Sequence, residues 1–309
     1  MGPVNRRKLT ARAKQAAFLL AILAAVLLVA ELGLRVAGRL LAPDVRVSAV
    51  SPDVPASSAF ILCAGDSNTY GVGADTLAHA YPRQLQTVLE QRYPGRGIAV
   101  LSVAGGGWNT SEVVEHVQRR LDAGGRSPDV LVFLAGTNNR NNLHRCSVIL
   151  EHKADVPFPD RVLAELQSMQ LGKLATVLSY RGRDLVRALV ATEAGSPRPF
   201  LDARDAEVDR FLETWMENDL GKVARLAADR GARLVVATYA VAGMNAYIRR
   251  AAGAIGLPLC DAGAGGGTWN ALGWMSKDGT HPNEMGYAKM AERIAGCIEE
   301  QRGLDRAGP

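Results

Sequence analysis

The chain has little of what builds a metal site or a disulfide framework, since only 4 of its 309 residues are cysteine. They stand far apart, at Cys63, Cys146, Cys260 and Cys297. This spacing matches no metal motif, so we predict neither a metal nor another cofactor. His144, Cys146 and His152 form part of a metal set, but no fourth ligand is near them. Cys63 and Cys260 lie in strand-like segments, where we expect buried free thiols. An oxidising compartment would allow up to two disulfides.

An excess of charge is also missing from most of the chain. The formal net charge of +5 is accounted for by five basic residues near the N-terminus, namely Arg6, Arg7, Lys8, Arg12 and Lys14. The remaining residues carry equal numbers of acidic and basic side chains. A basic surface of the kind that binds nucleic acid is therefore not expected. No glycine-rich loop joins a first strand to a helix in the way that nucleotide binding requires.

One long apolar run is present, and it follows these basic residues. Ala16 to Ala30 contain no polar side chain, and after Glu31 the run continues to Leu34. Its length approaches the ~20 residues that span a bilayer, and no good cleavage site follows it. We therefore predict an uncleaved membrane anchor over residues 1–35. A cleaved signal peptide that leaves a secreted protein, and a core helix of a cytosolic protein, are the alternatives. The basic flank predicts that the rest of the chain is extracytoplasmic.

The remaining sequence reads as a linker followed by one α/β domain. Residues 36–58 lose periodicity and contain three prolines, as is typical of a linker. From Ala59, strand-like and helix-like segments alternate. Strands are predicted over 59–64, 98–103, 130–135, 234–239 and 257–260, and helices from about residue 81, over 111–123, over 208–226 and over 284–301.

This alternation predicts a three-layer α/β/α sandwich with a five-stranded parallel sheet, of the flavodoxin-like type, over residues 59–301. Residues 140–204 break the alternation with helix-like spacing alone, so we expect a helical insertion there. Residues 302–309 form a tail. The insertion could be a lid, a substrate-binding wall or a surface for a partner.

A serine stands at the end of the first predicted strand, in the run Gly65-Asp66-Ser67-Asn68-Thr69-Tyr70-Gly71. The carboxyl edge of such a sheet is where α/β folds bind ligands. Serine needs an adjacent base before it can act as a nucleophile. Asp278-Gly279-Thr280-His281, just before the last helix, can supply one, because His281 can accept the serine proton while Asp278 fixes its tautomer.

Two further blocks follow the second and third strands. Gly107 lies in a run of three glycines, and glycine lets a backbone N–H approach a substrate oxygen. Asn138 follows Gly136-Thr137, and its side-chain amide can donate to the same oxygen. Singly, each block is an ordinary turn. Together, and in this order, they point to one site.

These four blocks resemble those of the SGNH, or GDSL-like, hydrolases. The resemblance covers about residues 59–301 and implies a serine esterase with Ser67 as the nucleophile, His281 as the base and Asp278 as its orienting partner. It also implies an oxyanion hole formed by the backbone N–H groups of Ser67 and Gly107 and the amide of Asn138. Asn139 departs from the family pattern, which commonly has Asp there.

The resemblance and the predicted anchor together indicate a membrane-anchored esterase or deacylase. Its substrate would be a small ester, a lipid or an acylated envelope glycan, and Trp108, Asn109 and Trp274 are weaker candidates to line the substrate pocket. An O-acyltransferase that uses a glycan acceptor is an alternative, and so is a non-catalytic binding or assembly protein. The catalytic blocks do not predict the oligomeric state or the acyl chain.

Overall fold

The computed structural model describes residues 3–41, 54–55, 58–140, 142, 202–241, 243, 245–301 and 304. They belong to two compact units, of which one contains the N-terminal helix and the other the sheet. Most of the predicted insertion at 140–204, including His144, Cys146 and His152, lies outside the described residues.

The N-terminal helix, α1, runs over Pro3–Leu41. Ala17–Val36 is long and apolar enough to cross a membrane, although a signal sequence would pass the same test. Arg35 Nε donates to Glu31 Oε1 at 2.8 Å, so the two charges at the end of this stretch pair with each other. The helix extends past residue 35 into the predicted linker, because no proline interrupts it before Pro43.

The second unit is built on a parallel sheet of five strands. They are β1 (Ala59–Gly65), β2 (Ile98–Ala104), β3 (Val130–Leu134), β4 (Arg233–Ala237) and β5 (Leu259–Cys260), in the order β2-β1-β3-β4-β5. All pairings are parallel. β1 and β3 are buried along their whole length, as expected for apolar strands covered on both faces.

Six α-helices lie in the described residues of this unit. They are α2 (Ser67–Tyr70), α3 (Tyr81–Arg92), α4 (Thr110–Asp122), α5 (Asp202–Asp229), α6 (Asn245–Ala254) and α7 (Glu284–Glu300). α3 packs against α7, whereas α5 packs against α4 and α6, which gives the two helical layers of the sandwich. The predicted three-layer fold and its five parallel strands are therefore confirmed. Sequence periodicity did not predict α6.

α5 shows how the amphipathic pattern directs packing. Leu212, Trp215 and Val223 lie on its buried face and have no exposed surface, as their helical spacing predicts. Gly231 follows the helix with φ of +68°, a left-handed conformation that favours glycine. The chain can therefore turn directly into β4.

The cysteines differ from the prediction in one respect. Cys63 is a buried free thiol in β1, as expected. Cys260 is not free, because it forms a disulfide with Cys297 of α7. Their wide separation in sequence hid this pairing, since β5 and α7 become neighbours only in the folded chain. The disulfide encloses the segment that carries Asp278 and His281.

Candidate active site

The end of β1 places Ser67 at the carboxyl edge of the sheet. Ser67 is the first residue of α2, and the preceding Asp66 caps that helix by accepting from the backbone N–H of Asn68 at 3.0 Å. The turn is tight, because a Cβ at Gly65 would overlap the Thr69 hydroxyl and the Leu134 carbonyl. Glycine at this position therefore allows the serine to leave the strand immediately.

Asp66 itself is buried and structural. Its Oδ2 accepts from the Tyr239 hydroxyl at 2.5 Å and from Thr137 Oγ1 at 2.8 Å. Burial raises the pKa of the Asp66 carboxyl, and these hydrogen bonds oppose that shift. Because Thr137 follows β3 and Tyr239 follows β4, this one carboxyl group ties together the ends of three strands.

His281 lies within hydrogen-bonding distance of Ser67. Its Nε2 is 2.8 Å from Ser67 Oγ, and its Nδ1 is 2.6 Å from Asp278 Oδ2. The other carboxylate oxygen of Asp278 accepts from the backbone N–H groups of Thr280 and His281 and from Ser276 Oγ. Partial burial raises the pKa of Asp278, but these hydrogen bonds outweigh it and hold the pKa well below its usual range. The carboxylate is therefore ionised beside the imidazole.

The loop that carries His281 has its own backbone support. Ser276 N donates to the His281 carbonyl at 2.8 Å, and Asn283 N donates to the Trp274 carbonyl at 3.0 Å. The Asn283 side chain caps α7. The loop is thus held at both sides of the histidine, and the imidazole orientation does not depend on Asp278 alone.

Gly107 and Asn138 lie in the loops that flank Ser67 on either side. β1 pairs with both β2 and β3, and Gly65 is in register with Ala104 and Leu134, so the three loops begin at the same level. Gly107 is exposed, with φ of +78°. Asn138 is half-buried. Both residues thus begin beside Ser67, and their roles as donors to a substrate oxygen stay a prediction.

Two of the three residues expected to line a pocket make contacts within the fold. Asn109 is fully buried and caps α4, where its Oδ1 accepts from Glu112 N at 3.0 Å. The Trp108 ring stacks on His116, with 3.8 Å between centroids, and it lies so close to Gly105 that a Cβ there would overlap the indole. Asn109 therefore offers no surface to a substrate, whereas a substrate role for the half-buried Trp108 stays a prediction.

Trp274 is the third of these residues. It is half-buried and meets the Trp269 ring edge-on, with 5.5 Å between centroids. It lies in the same loop as His281, and its role at a substrate stays a prediction.

Sequence patterns did not reveal the polar side chains that join the Gly107 and Asn138 loops. The Asn139 side chain bonds to Thr110, and Thr110 in turn bonds to Asp219 of α5. The Asn142 side chain bonds to the carbonyls of both loops. Asp219 is distant in sequence from the motif blocks, and no spacing connects it to them. Within the described part of the chain, no cluster of histidine, cysteine and acidic residues could hold a metal.

Solved structures that the chain matches at low sequence identity include esterases and lipolytic proteins. The psychrotrophic esterase EstA from Pseudoalteromonas sp. is 10% identical over 79% of this chain and 99% of its own, with a TM-score of 0.46. A lipolytic protein of the G-D-S-L family from Veillonella parvula is 11% identical, over 78% of this chain and 98% of its own, with a TM-score of 0.43. A lipase/acylhydrolase from Enterococcus faecalis is 12% identical, over 78% and 96%, with a TM-score of 0.41.

No curated protein matches the sequence. A family model does, over residues 63–289, and that family is described as the GDSL-like lipase/acylhydrolase family. The match begins within β1 and extends into α7, so it includes all four motif blocks and well over half of the chain. The chain therefore belongs to the GDSL-like lipase/acylhydrolase family and is a hydrolase that acts on esters.

Proposed function

We propose that this hydrolase is a membrane-anchored, extracytoplasmic serine esterase in which Ser67 is the nucleophile, His281 the general base and Asp278 its orienting partner. The observation that carries the proposal is the hydrogen-bonded chain from Ser67 Oγ through the imidazole to Asp278, with links of 2.8 and 2.6 Å. Both distances lie within the range at which a proton can pass between positioned groups. His281 Nδ1–H donates to Asp278, which leaves Nε2 of His281 unprotonated and facing the Ser67 hydroxyl.

Acylation would begin when Ser67 Oγ attacks the ester carbonyl and its proton passes to His281 Nε2. The carbonyl oxygen then carries the negative charge of a tetrahedral intermediate, and the ionised Asp278 stabilises the imidazolium. The carbon–oxygen bond to the alcohol breaks, and His281 returns the proton to the departing alcohol oxygen. An acyl group remains on Ser67.

Deacylation would repeat these steps with water. His281 removes a proton from a water molecule, the resulting hydroxide attacks the acyl carbon, and the proton returns to Ser67 Oγ as the carboxylic acid leaves. In both halves the oxyanion would accept from the backbone N–H groups of Ser67 and Gly107 and from the Asn138 amide. Loss of one such donor lowers turnover by about 10²–10³ in serine hydrolases.

The location outside the cytoplasm has two independent supports. The Cys260–Cys297 disulfide is typical of oxidising compartments and rare in the cytosol. The basic residues before the apolar stretch of α1 favour an orientation that leaves them in the cytoplasm and the hydrolase unit outside. A cell-surface position makes acyl groups on envelope glycans, lipids or small esters the substrate classes to test.

The decisive experiment compares the full-length protein in detergent with its Ser67→Ala variant. The parent should hydrolyse p-nitrophenyl acetate and become labelled by a fluorophosphonate probe, and the variant should do neither while keeping the parent's circular dichroism spectrum. Substantial turnover by Ser67→Ala would remove Ser67 from the mechanism. A folded parent that neither turns over nor labels would favour the non-catalytic binding role.

A further inference from the structure

Within the described residues, three asparagines after β3 bond to the loop that follows β2 or to Thr110, the first residue of α4. Asn138 Nδ2 donates to the Trp108 carbonyl at 3.1 Å, and Asn142 Nδ2 donates to the Gly107 carbonyl at 3.3 Å. Asn139 bonds to Thr110 twice, accepting from its backbone N–H at 3.0 Å and donating to its hydroxyl at 2.9 Å. The loop that holds Gly107 is therefore bonded to the loop that holds Asn138 at three neighbouring positions.

The number of hydrogens on each amide decides what it can do. A side-chain amide carries two N–H donors. Asn142 uses them on the Gly107 carbonyl and, at 2.9 Å, on the Asn138 carbonyl, so it joins the two loops directly. Asn138 needs one hydrogen for the Trp108 carbonyl, and its second remains for a substrate oxygen. The two amides thus divide the tasks of holding the loop and meeting the substrate.

The Asn139 amide is oriented, through Thr110, by the buried carboxyl group of Asp219. Thr110 Oγ1 donates to Asp219 Oδ2 at 2.6 Å, and Ser111 Oγ donates to the same oxygen at 2.7 Å. Because the Thr110 hydroxyl gives its hydrogen to Asp219, it can only accept from Asn139. The Thr110 backbone N–H can only donate. Both ends of the Asn139 amide are therefore fixed, and this side chain is fully buried.

Gly107 needs such support because packing does not supply it. The residue is exposed, its φ is +78°, and no atom lies within 4 Å of the position that a Cβ would occupy. A loop without side-chain packing keeps its backbone N–H aimed at one point only if its other polar groups are bonded. A displacement of about 1 Å at a reacting centre can cost roughly 10² in rate.

We propose that Asn139 and Asn142 are positioning residues of the oxyanion hole, which hold the Gly107 loop against the Asn138 loop. The inference rests on the proposed function, since it assigns them to the site in which the ester carbonyl of that reaction is bound. Neither residue touches the reacting atoms. Their contribution is to fix where the backbone N–H of Gly107 and the amide of Asn138 point.

Asn142→Ala in the full-length protein gives the first test. It removes both bonds to the loop carbonyls, so we expect kcat for p-nitrophenyl acetate to fall by about tenfold or more, with KM changed less than about twofold. The half-buried position should leave the Tm within about 2 °C of the parent. Asn270→Ala, at an exposed asparagine in another loop, is the matched control and should keep the parent's kcat.

Fluorophosphonate titration separates this inference from the proposed function. If the probe labels Asn142→Ala to the parent's stoichiometry but at a lower rate, the nucleophile is intact and the displaced Gly107 loop accounts for the loss, as proposed. An Asn142→Ala enzyme with the parent's kcat overturns the inference while leaving the serine mechanism in place. Activity that does not depend on Ser67 would overturn the mechanism instead.

Asn139→Asp tests the buried half of the network. The new carboxylate cannot donate to Thr110 Oγ1, and the one hydroxyl hydrogen would be shared by two acidic groups, so kcat should fall by about tenfold or more. Adding Asp219→Asn restores one carboxylate and one amide on either side of the hydroxyl and should recover most of that loss. A variant pair that changes Tm but not kcat would show a role in stability alone and would refute positioning.

Discussion

Removing the disulfide should weaken the fold much more than it slows the reaction. Cys260 and Cys297 join β5 to α7 across 37 residues, and the segment between them holds Asp278 and His281. Replacing both cysteines by alanine frees this segment in the unfolded chain. In the folded chain the histidine loop keeps its other support, including the bonds from Ser276 N to His281 O and from Asn283 N to Trp274 O. Folding and catalysis should therefore respond differently.

The expected loss of stability follows from the length of the closed loop. In the chain-entropy model, a loop of this size is worth about 4 kcal/mol at 25 °C. For a domain of this size each kcal/mol lowers the Tm by about 2–4 °C, so the double variant should melt roughly 8–16 °C below the parent. At a temperature well below either Tm, kcat should stay within about twofold of the parent, because the reacting groups keep their positions.

Guanidinium denaturation with and without reductant provides the assay. Reductant should lower the stability of the parent toward that of Cys260→Ala/Cys297→Ala and should leave the double variant unchanged. A loss below about 1 kcal/mol would refute the loop-closure reasoning. A large fall in kcat at an unchanged midpoint would refute the claim that the remaining hydrogen bonds hold the His281 loop in place.

Two further predictions concern charge and location. Hydrogen bonds lower the pKa of Asp278 in the folded chain, so its contribution to stability is present above the ordinary carboxyl pKa and is lost as pH falls through the folded value. The Tm difference between the parent and Asp278→Asn should therefore shrink as pH falls below about 4; a difference that grows in acid would contradict this sign. Full-length protein should stay in the membrane pellet after a high-salt wash, whereas a shortened soluble form would indicate signal cleavage.

Local sequence patterns were sufficient for the sheet. Short apolar runs such as Val130–Leu134 predict strands that are buried on both faces, and the helices between them predict parallel pairing. The boundaries differ from the prediction by at most two residues at β4 and β5. The predicted β5 included Pro258, which has no N–H to donate to a neighbouring strand, and the strand begins after it. α6 was missed because Asn245–Ala254 is rich in alanine and presents a short apolar face.

The candidate site was predictable only as far as it depends on blocks of adjacent residues. Ser67, Asp278 and His281 could be predicted because each lies in a short run of residues that is typical of a nucleophile or of its base. The partnership of Thr110 with Asp219 could not, because α4 and α5 meet through tertiary packing alone. Sequence patterns did not predict the stacking of the Trp108 ring on His116 or its close approach to Gly105 either.

The position of β1 in the sheet explains how separate segments come to share one edge. β1 lies between β2 and β3, so the loops that carry Ser67, Gly107 and Asn138 start side by side. His281 lies in the loop before α7. The helix α7 packs on α3, and α3 follows the serine block in sequence. The buried strands thus fix the level at which each loop begins, but not the direction of any N–H beyond the strand ends. That direction depends on polar side chains, which is why the asparagine amides after β3 matter to the chemistry although the apolar core determines the fold.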